Sequence, residues 1–257
     1  MSPAAPSDPR AAIEAALHAL CARAGTSLGL GRLRLHLVPA SHPFLRTVAL
    51  PLPGRGGWPQ ALAALRAAAR LLEAPARIEL VAERWPEAGA ALAANGFART
   101  LAVPLLWWPA QAPVAAVAEP CRRLGPETPA ELLAETLALQ HAQFGEPPPS
   151  AAERAHLLAC LAEGSVRTWL LVEDGRPVAA ASLQGDALAA ELVGLWTRPD
   201  RRRRGFARRV AAAALAAHDA EGGRLLWAGA ASPASEALLR SLGLVRVGTL
   251  EAWAAIG

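Results

Sequence analysis

The chain contains no lysine and no tyrosine, a single methionine and three cysteines. Without lysine, no side-chain amine can act as base or nucleophile. All 26 basic residues are therefore arginine, which stays charged at any physiological pH. Without tyrosine, no phenol can serve as a general acid. Cys21, Cys121 and Cys160 are odd in number and show no Cys-x-x-Cys spacing. That pattern reads as reduced cytosolic thiols rather than a disulfide or zinc framework. The start, MSPAAPSDPR, lacks the basic residues and apolar stretch of a secretion signal. The longest uncharged run, 101–118, carries Pro104, Pro109 and Pro113, and a membrane-spanning helix could hardly hold three prolines. These absences lead to the expectation of a soluble, cytoplasmic protein that uses no metal.

What is present supports a sizeable core. The 257 residues are 53% hydrophobic, enough for one large domain or two modest ones. The net charge of +4 and pI near 10.0 would permit nucleic-acid binding. The arginines are spread along the chain apart from one run at 201–204, however, and scattered charge is usually a solvated surface.

Periodicity and turn residues predict the elements. A helix is expected over 9–24, strands over 31–38 and 44–50, a helix over 60–73, a strand over 77–83, a short helix over 86–95 and a strand over 98–107. In 31–38, Arg and His alternate with Leu and Val, the mark of a half-buried strand. The Pro/Ala-rich stretch 109–119 reads as a linker. Beyond it, Thr128-Pro129-Ala130-Glu131 and Ser150-Ala151-Ala152-Glu153 have the form of capping boxes. They open helices that end near 142 and Gly164. Asp174-Gly175 signals a hairpin between 167–173 and 177–183. A strand over 190–197, a helix over 206–221, a strand over 224–230, a helix over 233–242 and a strand over 245–253 complete the chain.

The two halves share this order of elements. Sliding 77–99 onto 224–246 needs no gap and superposes Pro86 on Pro233, Leu92 on Leu239 and Gly96 on Gly243. The fixed offset points to an internal duplication. Two domains are expected, 1–108 and 120–257.

The most informative segment is 191–207, ELVGLWTRPDRRRRGFA. A strand runs into an arginine-rich loop with a glycine at its end, and a helix follows. Such a glycine lets consecutive backbone N–H groups converge. The helix adds its unpaired amides and the positive end of its dipole. A pyrophosphate fits that arrangement.

Arg202, Gly205 and Ala207 resemble the signature of the GNAT acetyltransferase superfamily, Arg/Gln-x-x-Gly-x-Gly/Ala after a strand. Leu242-Gly243-Leu244 resembles the closing segment of the family, Tyr-x-x-Leu-Gly-Phe. The resemblance covers about 120–257 and, more faintly, 31–107. It implies an α/β (α+β) fold with a mixed, mostly antiparallel sheet flanked by helices, here in two tandem copies. It also implies acetyl-coenzyme A as co-substrate. The carried-over binding residues are Arg202, Arg203, Arg204, Gly205, Phe206 and Ala207 for the pyrophosphate. Leu195, Trp196 and Thr197 would offer backbone groups to the pantetheine arm, at a bulge that splays two strands. Ser232 falls where many members have a cofactor-contacting Asn. Arg208 and Arg209 either reach a phosphate or face water.

An amine with a pKa near ~10 is neutral in only about one molecule in a thousand at pH 7, so a base is needed. Glu191 lies where several family members place their catalytic Glu, and a carboxylate on an apolar strand is unusual for a core. Its alternative is the exposed face of the sheet. The family's acid, a Tyr, is replaced by Leu239. His141 and Glu146 flank a turn that overhangs the acceptor site in GNAT folds, and they are candidates for acceptor contact. His18 and Cys21, one helical turn apart, together with His156 and His218, read as packing or surface residues rather than metal ligands. In the N-terminal copy the same offset sets Phe44 opposite Glu191 and Arg55–Gln60 opposite the signature. Trp58 takes the place of Gly205, and Pro59 removes a donor. That copy is expected not to bind cofactor.

The leading expectation is an N-acetyltransferase acting on a small-molecule or peptide amine by direct transfer in a ternary complex. A non-catalytic acyl-coenzyme A sensor is the alternative. A basic nucleic-acid binder ranks third.

Overall fold

A computed structural model describes residues 6–54, 56–109 and 121–256. In chain order the helices and strands are α1 (Pro9–Ala24), β1 (Thr26–Leu30), β2 (Leu33–Leu37), β3 (Val48–Pro51), α2 (Trp58–Leu71), β4 (Arg77–Val81), α3 (Ala88–Ala94) and β5 (Phe97–Trp108). They continue with β6 (Arg122–Arg123), α4 (Ala130–Phe144), α5 (Ala151–Glu163), β7 (Val166–Glu173), β8 (Arg176–Gly185) and β9 (Ala189–Thr197). The last are α6 (Phe206–Ala220), β10 (Leu225–Gly229), α7 (Pro233–Ser241) and β11 (Val245–Ala255). The fold is mixed α/β. Strands β3 and β4 are parallel, as are β9 and β10, while the other pairs of described register are antiparallel. Among the described residues, no helix is long and apolar enough to cross a membrane.

The chain divides into two compact units. The N-terminal unit comprises Pro6–Leu106, Gly229–Glu236 and the segment from Arg246 onward; the C-terminal unit comprises Trp107–Ala228 and Ala237–Val245. The expected division at 109–119 assigns 229–236 and 246–257 to the second half, whereas compactness groups them with the first. The linker itself lies outside the described residues, apart from Pro109.

In the N-terminal unit the strand order is β1-β2-β3-β4-β11-β5. The last strand of the chain therefore lies between two strands of the first half. Trp253 of β11 joins a core formed by Leu33, Leu35, Trp58, Leu65 and Leu92. Its partner strand β4 is registered as Leu250↔Val81 and Trp253↔Ile78.

Local readings failed here in two places. Strand β1 was not foreseen, because TSLGL is short, nearly unalternating and exposed except at Leu30. The alternation in β2 puts His36 on the face of Arg34, yet His36 is fully buried. Helix α1 supplies the covering group, because His18 hydrogen-bonds to the His36 ring.

In the C-terminal unit the order is β10-β9-β8-β7-β6. Helix α6 packs on this sheet through small residues: Ala211 and Ala214 are fully buried, as are Ala179 and Ala181 of β8. Alanine on both sides lets backbone approach backbone closely. The β7–β8 hairpin turns at Asp174 and Gly175, both with positive φ (51° and 76°), as a two-residue turn between right-twisted strands requires.

The two capping motifs behave differently. Ser150 and Glu153 form a reciprocal box, with Glu153 N to Ser150 Oγ at 3.1 Å and Ser150 N to Glu153 Oε2 at 2.7 Å. Thr128 does not cap α4. The N-cap is Pro129, with no side-chain bond, and the Thr128 hydroxyl instead accepts from Gly125 N at 3.0 Å. The preceding turn competes for that hydroxyl and wins.

Candidate active site

Strands β9 and β10 run parallel for only three residue pairs, Leu225↔Ala189, Leu226↔Ala190 and Trp227↔Glu191. Strand β9 continues six residues further, to Thr197. Its other edge stays paired to β8, but with a register shift: Ala180 faces Trp196 while Ser182 faces Val193. One extra residue is therefore accommodated in β9. Gly194, at φ 57°, supplies the left-handed geometry the bulge needs. The bulge expected beside Leu195 and Trp196 is present. Past Glu191, the β10 side of β9 offers backbone groups for a ligand to pair with. The Trp196 side chain is buried and its indole nitrogen has no protein partner, nor does the Thr197 hydroxyl.

Beyond Thr197 a short turn of 3-10 helix, Pro199–Arg201, leads into the loop. Gly205 is the N-cap of α6, at φ 81° and ψ 2°, and no side chain caps it. The first amides of α6 are thus left without the partner that Ser150 supplies to α5. A Cβ at Gly205 would meet nothing within 4 Å, so the space over the helix entrance is open. Arg203 also has positive φ, 65°, a conformation that non-glycine residues adopt only under constraint. These donors and the α6 dipole suit a diphosphate.

The arginines of the loop point in different directions. Arg202 donates to Gln143 Oε1 of α4 at 2.5 Å. Arg201 and Arg204 face Glu173 at 3.3 and 3.7 Å, and the Arg204 guanidinium lies 5.1 Å from the Phe206 ring. Asp200 is held below its ordinary pKa by its hydrogen bonds from Arg198. Arg208 bonds to Ser241 Oγ at 2.6 Å, and the Arg209 guanidinium lies 5.4 Å from the Phe206 ring.

Glu191 is half-buried, at the last pair of the β9–β10 ladder, where the strands part. The neighbouring strand sets its carboxylate: Gln184, opposite in register on β8, donates to Glu191 Oε2 at 2.6 Å. Gln184 is buried, and its carbonyl oxygen has no partner. Sequence reasoning missed Gln184, since only the β8–β9 register reveals it.

His141 is buried near the end of α4, and its Nδ1 lies 2.6 Å from the Pro147 carbonyl and 3.7 Å from Glu146. The ring therefore secures the turn at 145–147. Gln143, two residues on, ties that end of α4 to Arg202, so the turn and the loop are brought together. Ser232 sits at the entrance of α7, where its hydroxyl accepts from Ser235 N at 3.1 Å. Leu239, at the place of the missing acid, is buried.

A family model described as "Acetyltransferase (GNAT) family" matches residues 133–244, the stretch that holds this split, bulge and loop. Residues 133–244 are thus similar to GNAT acetyltransferases. Among solved structures, a GCN5-related N-acetyltransferase from Kribbella flavida is 21% identical, with a TM-score of 0.73 over 98% of this chain and 97% of that one. A GCN5-related N-acetyltransferase from Sphaerobacter thermophilus is 14% identical, with a TM-score of 0.61 over 86% of this chain and 76% of that one. A tandem GNAT protein from the clavulanic acid biosynthesis pathway is 18% identical, with a TM-score of 0.59 over 88% and 78%. At these identities the likeness is one of fold. No curated protein matches the sequence. The activity of the GNAT family is transfer of an acyl group from acyl-coenzyme A to an acceptor.

Proposed function

We propose that the chain is an N-acetyltransferase that moves the acetyl group of acetyl-coenzyme A directly to an amine of a small molecule or peptide, with Glu191 as the base. One observation carries this reading. The split between β9 and β10 opens at a carboxylate and leads to the uncapped entrance of α6.

The residues divide the work. Amides at the start of α6, from Phe206 and Ala207, together with Gly205, would hold the pyrophosphate, and Arg202, Arg203 and Arg204 would add charge. The β9 backbone at Leu195, Trp196 and Thr197 would pair with the pantetheine amides. Glu191 would take the ammonium proton before attack, and Gln184 keeps its carboxylate aimed. His141 and Glu146 shape the turn that borders the acceptor side. Ser232 is the nearest replacement in kind for the family's Asn.

Leu239 offers no proton to the departing thiolate. A thiol with a pKa near ~8.5 leaves without full protonation, at a cost of about 10²–10⁴-fold when one general acid is lost. This observation favours a second reading, an acyl-coenzyme A sensor that does not turn over. Incubation of the chain with acetyl-coenzyme A and a panel of amines and peptides, with free coenzyme A measured by chromatography, separates the two. Acceptor-dependent release supports the transferase. A thermal shift with coenzyme A but no release above background supports the sensor. No thermal shift at all overturns both.

A further inference from the structure

The N-terminal unit contains a hydrogen-bonded chain that the transferase does not use. Ser27 Oγ lies 2.8 Å from His36 Nδ1. His36 Nε2 lies 3.0 Å from His18 Nδ1. His18 Nε2 lies 2.8 Å from the Pro51 carbonyl oxygen. Its far end fixes every proton. A carbonyl only accepts, so His18 carries its proton on Nε2 and presents a lone pair at Nδ1. His36 must then donate through Nε2, which leaves its Nδ1 as an acceptor. The Ser27 hydroxyl must therefore donate inward. Both rings are neutral at neutral pH, because burial lowers their pKa values, with Arg34 acting in the same direction and Glu14 opposing it at His18.

Burial is graded along this chain. His36 is fully buried, whereas Ser27 is exposed. The hydroxyl thus keeps its lone pairs in solvent while its proton is committed to an imidazole. Strand β1 is also the edge of its sheet, with β2 on one side only. Alternate amides along it consequently point outward, as donors for a developing oxyanion beside the hydroxyl. A buried neutral imidazole needs both a donor and an acceptor as partners, and at His36 these lie on one line that ends at a solvent-exposed hydroxyl. A hydroxyl bonded to an imidazole whose other nitrogen is held by a third group has the connectivity that orients a base for a nucleophile, with His18 in the place a carboxylate takes in hydrolase triads.

We propose that Ser27 is a nucleophile, backed by His36 as base and His18 as positioning residue, and that it takes acyl or phosphonyl groups from activated donors such as aryl esters. Ser27 Oγ attacks the carbonyl carbon and an O–C bond forms. The hydroxyl proton passes to His36 Nδ1. The C–O bond to the aryloxide breaks, and the aryloxide leaves with the bonding pair and recovers a proton from His36. Water then attacks the seryl ester and gives one proton to His36; the bond between the acyl carbon and Ser27 Oγ breaks, Ser27 Oγ takes that proton from His36, and the carboxylic acid departs and loses its proton to solvent. The low basicity of His36, about 4, restricts the site to donors with good leaving groups.

The intact chain treated with a fluorophosphonate probe at neutral pH tests this. Ser27 Oγ would form the O–P bond and fluoride would leave. Peptide mapping should find the adduct on Ser27, and heat-denatured protein should show none. Ser27→Ala should remove the label, and because it lies on an exposed edge strand the variant should still melt in one cooperative transition, a few degrees lower for the lost bond to His36. His36→Gln should slow labelling by about 10²-fold. Because His36 is buried, the His18 pair guards against misfolding: His18→Leu should slow labelling, and His18→Gln, whose amide oxygen can accept from His36, should restore part of it. An adduct elsewhere with Ser27 unmodified overturns the proposal, as does labelling of Ser27 that persists unchanged in a folded His36→Gln variant.

Discussion

Two helix entrances at matching positions of the chain meet opposite fates. At α6 the N-cap is Gly205 in the left-handed region, four arginines precede it, and no side chain caps the first turn. At α2 the N-cap is Gly57 with extended backbone, φ −88° and ψ 154°, and the first two residues are Trp58 and Pro59. Pro59 has no amide proton. Trp58 turns into the core with 5% exposure, donates to Glu87 at 3.3 Å, and lies 5.0 Å from the Arg32 guanidinium. One entrance therefore keeps its donors available for an anion. The other has converted the same position into packing. Equivalent positions in the order of elements need not share chemistry, because an anion site needs free amides and space, and the buried Trp58 indole occupies that space at α2.

The sharpest break between the halves is Glu191 against Phe44. Glu191→Gln should lower the turnover number by about 10²–10⁴-fold while the dissociation constant for coenzyme A stays within about twofold. Steady-state kinetics with an amine found in the acceptor panel, together with calorimetry, check this. An unchanged turnover number would remove Glu191 from the chemistry.

Trp58→Ala should act on stability alone. A buried Trp truncated in a core costs about 3–5 kcal/mol, read by urea denaturation, and coenzyme A affinity should stay constant. Weaker binding would show that the α2 entrance is less different than its structure implies.

Gly205→Val forces a β-branched side chain into φ 81°, at about 1–3 kcal/mol of backbone strain. That strain should weaken coenzyme A binding by about 5–100-fold. Gly57→Ala, at a φ any residue adopts and with only the flexible Gln60 side chain in the way, should leave affinity unchanged.

The smallest effect compares one histidine from each half. His36 and His218 are fully buried, and burial lowers each from 6.5 to about 4. Between those values the unfolded chain binds protons that the folded chain refuses, so stability falls as pH drops from 6.5 toward 4 and levels off below. Denaturation midpoints at pH 7 and pH 5 measure the loss. His218→Asn should flatten the C-terminal contribution and leave that of His36.

Legibility in the sequence followed distance along the chain. The Asp174-Gly175 turn, the Ser150 box, the Gly205 entrance and the helices around them were readable, with ends displaced by a few residues. The site residues carried over from the signature also fell on the strand, loop and helix expected of them. Thr128 misled because its hydroxyl had a second local partner in Gly125 N. Gln184 was invisible because its role depends on a register between two strands. His36 looked half-exposed because nothing in β2 announces that α1 covers its second face.

The amino-acid sequence by itself determined the turns, caps and glycine-dependent loop, since each needs only a few adjacent residues with the right φ and hydrogen-bonding groups. Tertiary structure alone decided that β11 lies between β4 and β5, that β9 and β10 part at Glu191, and that Ser27, His36 and His18 form one chain. Strand pairing joins residues far apart in sequence, and its free energy comes from the packing of both faces, which no single segment contains.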